Sequence, residues 1–193
     1  MTDMKLGRRR LIGLAVPVAA AACSASPNPV LYTIETRPGS TFGAGPKIVM
    51  LRDISLASYL DRKEIVRSSE DYKLGVMSND WWGESLGALL ARVLIVELSQ
   101  RLPDSRVYGE SGAITADSNA TVGVNIQRLD TDKAGVLGLL AQVAVEFNRP
   151  RRTAARNFTI SKPAPTSNVA GQVAATSDAM ADLADGIAAL LQP

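Results

Sequence analysis

The chain has 193 residues, 46% of them apolar and 21% charged, a balance that supports one packed domain and excludes a disordered chain. Its 21 basic and 19 acidic residues give a net charge of +2, but Lys5, Arg8, Arg9, Arg10 and Asp3 lie in the first 22 residues. Without them 17 basic face 18 acidic residues, so no global basic field recruits nucleic acid.

Residues 1–22 read as a signal peptide. A basic start ending in Arg8-Arg9-Arg10 precedes twelve uncharged residues, Leu11 to Ala22, broken by Pro17. A membrane-spanning helix needs about 20 apolar residues, so this stretch fits the core of a secretion leader instead. Ala20-Ala21-Ala22-Cys23 resembles a lipobox, which implies cleavage before Cys23 and transfer of a diacylglycerol to its thiol. Ala20 stands where such motifs most often carry leucine, and the alternative is an ordinary leader that happens to contain a cysteine. Cys23 is the one cysteine in the chain, which excludes an intramolecular disulfide. Arg8-Arg9-Arg10-Leu11-Ile12 also resembles a loose twin-arginine motif, leaving the export route open. Ser24, in place of an aspartate, implies delivery to the outer membrane. Residues 23–29 form a Ser/Pro-rich tether, and residues 30–193 a single periplasmic α/β domain.

Val30 to Glu35 is extended. Lys47 to Ile54 is a continuous apolar run, as in a strand covered on both faces, and Ser55 to Leu60 a turn or short helical piece. Glu64 to Ser69 and Tyr72 to Met77 form a strand pair around a polar turn. The spacing of Leu86, Leu89, Leu90, Val93, Leu94 and Leu98 predicts a helix stopped by Pro103, with Asp80 as its N-cap and Glu84 in its first turn. Ala88, Ala91, Ile95 and Val96 widen its apolar face, which predicts deep packing. Val107-Tyr108 is a short strand. Thr121 to Leu129, the turn Asp130 to Lys133, and Val136 to Phe147 make a long hairpin with alternating apolar positions, and Phe158 and Ile160 mark another strand. A last amphipathic helix lies within Val169 to Leu191. The fold class is α+β: one mixed, largely antiparallel sheet with two long helices packed mainly on one face.

The chain contains no histidine, which removes imidazole-activated nucleophiles and the commonest transition-metal ligand. It has no phosphate-cradling or dinucleotide-binding glycine motif either. Asp130 and Asp132 are the nearest carboxylate pair, and their place in a hairpin turn reads as two solvated turn residues rather than an acid/base site. No catalytic residue, metal ligand or cofactor site is assigned, and an enzyme is not expected.

Leu31-Tyr32-Thr33-Ile34, Tyr59-Leu60-Asp61-Arg62, Ile65-Val66-Arg67 and Asn79-Asp80-Trp81-Trp82-Gly83-Glu84-Ser85-Leu86 together resemble the ABC-type transport auxiliary lipoproteins, the PqiC (YmbA-like) family. Arg101-Leu102-Pro103, Val107-Tyr108 and Val124 to Asp130 continue the likeness in order. The resemblance implies an outer-membrane adaptor that serves an MCE-domain protein and inner-membrane transporter components in lipid transport, and that self-associates as a homo-oligomer. Tyr59, Leu60, Asp61, Arg62, Trp81, Trp82 and Glu84 are the candidate partner or oligomer interface, since tryptophan and arginine are enriched at such contacts. The competing reading packs one or both indoles on the sheet. Arg149, Arg151 and Arg152 either meet anionic headgroups or form a solvated face. A monomeric lipid- or small-molecule-binding lipoprotein is the alternative function, with a cell-wall or outer-membrane assembly lipoprotein behind it.

Overall fold

The computed structural model describes residues 28–113 and 116–193. The leader, the lipobox and Cys23 lie outside the described residues. In chain order the elements are β1 (Val30–Tyr32), β2 (Ile48–Leu51), β3 (Ser55–Leu56), β4 (Glu64–Ser68), β5 (Gly75–Trp82), α1 (Leu86–Arg101), β6 (Arg106–Gly109), β7 (Ala120–Thr131), β8 (Val136–Asn148), β9 (Arg151–Pro163) and α2 (Val169–Leu190). This is an α+β fold with mixed pairing, and its strands are divided between two sheets.

The larger sheet runs β6-β2-β7-β8-β9, with β3 paired to β7 beyond the end of β2. β2 is parallel to both β6 and β7, whereas β7, β8 and β9 form two long antiparallel pairs. On β8, Leu137, Leu139, Ala141, Val143, Val145 and Phe147 are all buried, so the period-two pattern places one continuous apolar face under the helices. The parity on β7 changes midway. Val122, Val124 and Ile126 face inward, Gln127 is an extra residue opposite β8, and Leu129 and Thr131 are the inward positions after it. A β-bulge of this kind re-aims every following side chain.

α1 buries Leu86, Leu89, Leu90, Val93, Leu94 and Leu98. It ends at Arg101, two residues before Pro103, because proline has no N–H to continue the ladder. α2 starts at Asn168, whose side chain accepts from the Gly171 N–H at 2.9 Å. It packs on β8, β9 and α1. Its buried Thr176 and Ser177 hydroxyls donate to the carbonyls of Gln172 and Val173, one turn back.

The three-stranded sheet, β1-β5-β4, corrects two expectations. Asp80 does not cap α1, and Trp81 and Trp82 do not open it. All three belong to β5, where Asp80, Trp81 and Trp82 pair in parallel with Val30, Leu31 and Tyr32. Asp80 accepts the Tyr32 hydroxyl at 2.9 Å. The helix starts after Ser85, which makes no side-chain cap bond. The partner strand lies 50 positions upstream, so nothing local signals that β5 continues. The Asp130 expectation is overturned as well, for this carboxylate is fully buried. Asp132 does act in the turn, accepting the Val136 N–H at 2.8 Å.

Candidate functional site

The β1-β5-β4 sheet gathers most of the predicted interface. Leu31, Asp61, Arg62, Lys63, Trp81, Trp82 and Glu84 border one depression of about 480 Å³. Leu31 on β1 and Glu64 on β4 stand opposite Trp81 from its two sides. The Trp81 indole is half-buried. Its Nε1 donates to the Ser78 carbonyl at 3.0 Å, and the Lys63 ammonium lies 3.8 Å from the ring centroid. That cation over an aromatic face is worth about 0.5–1 kcal/mol at an exposed site. Around this apolar centre, Asp61, Arg62 and Lys63 are exposed on the turn before β4. Glu84 is exposed too, and accepts from Arg92 Nε at 3.1 Å and from its terminal nitrogen at 2.7 Å.

Three predicted residues do other work. Trp82 is 6% exposed and belongs to the core, so the two indoles divide as alternation along a strand requires. Leu60 is 2% exposed and also core. Tyr59 points away from the depression to bind the buried Asp130 at 3.0 Å. Burial and the neighbouring Asp130 charge push its pKa up to about 12. Cys23 lies outside the described residues.

Sequence reasoning missed Val30, Leu31 and Lys63. Val30 and Leu31 are 53% and 62% exposed, the start of an edge strand whose outer side no other described strand pairs. Their signal was present, as two aliphatic residues directly after a polar tether. The polar turn between β4 and β5 was expected, but Tyr72 belongs to it rather than to the strand: Asp71 and Tyr72 both have positive φ, and Tyr72 is fully exposed.

An apolar centre with one aromatic anchor and a charged rim has the composition of a protein contact surface. It offers no nucleophile with an adjacent base. Among the described residues, no cluster of acidic groups is arranged to hold a metal ion, and no helix is long and apolar enough to cross a membrane.

The fold and this surface define a small α+β domain with one apolar depression rimmed by charge. The chain belongs to the ABC-type transport auxiliary lipoprotein component family, whose model matches residues 30–188. No curated protein matches the sequence. Among solved structures, an uncharacterized protein superposes with a TM-score of 0.72 at 16% identity, covering 84% of this chain and 98% of its own. A Xanthomonas campestris protein of the DUF330 family gives 0.63 at 17% identity, covering 82% and 92%. A PelC dodecamer from Paraburkholderia phytofirmans gives 0.45 at 10% identity, covering 84% and 100%. The first two likenesses establish the shared fold. The family is one of transport auxiliary lipoproteins rather than enzymes.

Proposed function

We propose that this protein is a non-enzymatic outer-membrane lipoprotein, anchored through Cys23 and facing the periplasm. It serves as the adaptor through which an MCE-domain protein and inner-membrane ABC transporter components pass lipid across the envelope. Membership of the transport auxiliary family supports an auxiliary role. The observation that carries the adaptor reading is the patch around Leu31 and Trp81. It combines exposed aliphatic surface, an anchored indole and a charged rim at the end of the fold where the tether enters. Exposed apolar surface rimmed by charge marks interaction sites on soluble domains. The same patch is the contact we assign to a homo-oligomer or to the MCE partner.

The test is co-purification of the full-length lipoprotein, expressed with its MCE and transporter partners, together with mass determination of the assembly. Binding and a discrete multi-subunit mass are expected. Trp81→Ala with Leu31→Ser weakens association about tenfold or more, in the range of an interface hot spot. A full-length protein that stays monomeric and brings down neither partner overturns the reading.

A further inference from the structure

α1 carries a second apolar stripe that no described element covers. Ala88, Ala91, Ile95 and Val96 were expected to deepen its packing, yet they flank an open groove and Val96 is 40% exposed. The groove measures about 570 Å³, and Leu51, Ile54 and Gly109 complete its walls from the sheet side. That volume falls in the range of about 300–1,000 Å³ typical of small-ligand sites. Gly109 keeps the wall tight, for a Cβ there would stand 3.0 Å from Ile95 Cδ1.

Within the groove the Ser111 hydroxyl and the Asp53 carboxylate are taken up by each other at 2.5 Å, whereas the Arg92–Glu84 pair lies at the rim with both side chains part-exposed. A peptide laid here would bury backbone N–H and C=O groups against aliphatic walls without partners, at a cost of a few kcal/mol each. A hydrocarbon chain has no such groups. The position of the groove points the same way. Ser85 borders both the groove and the depression beside Leu31, and Arg92 donates to the Thr33 hydroxyl at 3.3 Å, one residue beyond β1. Only six residues separate Cys23 from Val30, seven Cα steps that reach at most about 25 Å when extended. The mouth of the groove therefore lies near the anchored end of the chain. There, Arg92 and Glu84 present a cation and an anion 2.7 Å apart, the complement of a phosphate and an ammonium.

We propose that this groove holds one acyl chain of a membrane phospholipid, with a zwitterionic headgroup at Arg92 and Glu84. The proposal rests on the lipid-anchored reading given above, and it makes the adaptor itself a lipid-contacting station.

The test uses the full-length lipidated protein in vesicles of phosphatidylethanolamine and phosphatidylglycerol. A trace of phosphatidylethanolamine carries a diazirine near the end of one acyl chain. After irradiation, adducts are expected within 87–96 and 109–112. Val96→Asp sets a charge on an already exposed position, where folding is not at stake, and lowers the adduct yield about fivefold or more. Ala91→Phe fills the groove and does the same. Adducts confined to other segments, or unchanged in both variants, overturn the proposal. So does labelling that appears only in Cys23→Ser, which would mean that the protein's own lipid fills the groove. None of these outcomes bears on co-purification with the transport partners, which probes the Trp81 patch.

Discussion

Tyr59 donates its hydroxyl to Asp130 at 3.0 Å, joining a loop before β4 to the far end of β7, 71 positions along the chain. Asp130 is fully buried, and Arg128 Nε donates to its other oxygen at 2.8 Å. The Gln127 bulge makes this possible. It shifts Arg128 and Asp130 to the face that Tyr59 covers, and the Tyr59 hydroxyl also approaches the Gln127 carbonyl at 3.4 Å.

Tyr59→Phe removes one hydrogen bond and leaves Arg128 to neutralise Asp130, so a cost of about 1–2 kcal/mol is expected. Asp130→Ala strands a hydroxyl and a guanidinium and costs about 3 kcal/mol or more. Denaturant unfolding of both variants checks the order. The phenol has a folded pKa of about 12 against an ordinary 10.0, raised first by burial and then by the Asp130 charge. Its contribution to stability is therefore complete below pH 10 and lost as pH rises toward 12. Burial and the bond to Asp80 raise the Tyr32 pKa as well, so phenolate absorbance should show a late-titrating component that shrinks, without vanishing, in Tyr59→Phe.

Glu97 sits buried on α1 among Arg37, Arg101 and Asp185. Its Oε1 accepts the Arg37 N–H at 2.9 Å, and its Oε2 has no partner among the described residues. Desolvation raises its pKa above the ordinary 4.5, opposed by the Arg37 N–H bond and the Arg101 charge. A raised carboxyl pKa means the folded state holds this proton more tightly. Stability conferred by the protonated group is present below the unfolded pKa and declines as pH rises through the folded pKa. Glu97→Gln keeps the acceptor for Arg37 and removes the ionisation. It should raise the melting temperature at neutral pH and flatten the pH dependence above 4.5. Equal slopes in wild type and variant would rule this out.

Gly186 lies in α2 against the Phe158 ring of β9, and a Cβ there would fall inside the ring's van der Waals surface. Helix propensity alone favours alanine over glycine by about 1 kcal/mol. The overlap outweighs it, so Gly186→Ala should destabilise by about 1–3 kcal/mol. Phe158→Leu should recover part of that loss in a double-mutant cycle. Additivity between the two sites would show that the close approach is not what requires glycine.

The β4–β5 hairpin turns through Asp71 and Tyr72 with φ of 55° and 60°, closed by the Lys73 N–H to the Glu70 carbonyl at 3.1 Å. Two successive positive φ values are the geometry for which Asn-Gly is the preferred pair. Asp71→Asn with Tyr72→Gly should therefore stabilise the domain by about 0.5–1 kcal/mol. A lower melting temperature would instead show that losing the Asp71–Lys133 ion pair, 2.6 Å long, outweighs the gain in the turn.

Much of this molecule is read from local pattern. The leucine spacing of α1, the alternation of β8, the proline stop at Pro103 and the turn role of Asp132 each depend on residues within a few positions of one another. Of the candidate residues, Asp61, Arg62, Trp81 and Glu84 line one depression with part of each exposed, while Tyr59, Leu60 and Trp82 turn inward, Trp82 as a buried part of its wall. Those three are large side chains next to polar ones, and only the strand pairing decides which face each occupies. The misplacement of Asp80 has the same cause.

The sequence by itself determined the α+β class, the number and type of the major elements, and the lack of histidine chemistry. These follow from composition and from hydrophobic periods of 2 and 3.6 residues, which are local properties. Only the tertiary structure decided the parallel pairing of β1 with β5, the burial of Glu97 and Asp130, and the uncovered flank of α1. Each depends on a partner tens of residues away in the chain, and hydrogen bonds and desolvation at such contacts are fixed by where the chain returns, not by its neighbouring residues.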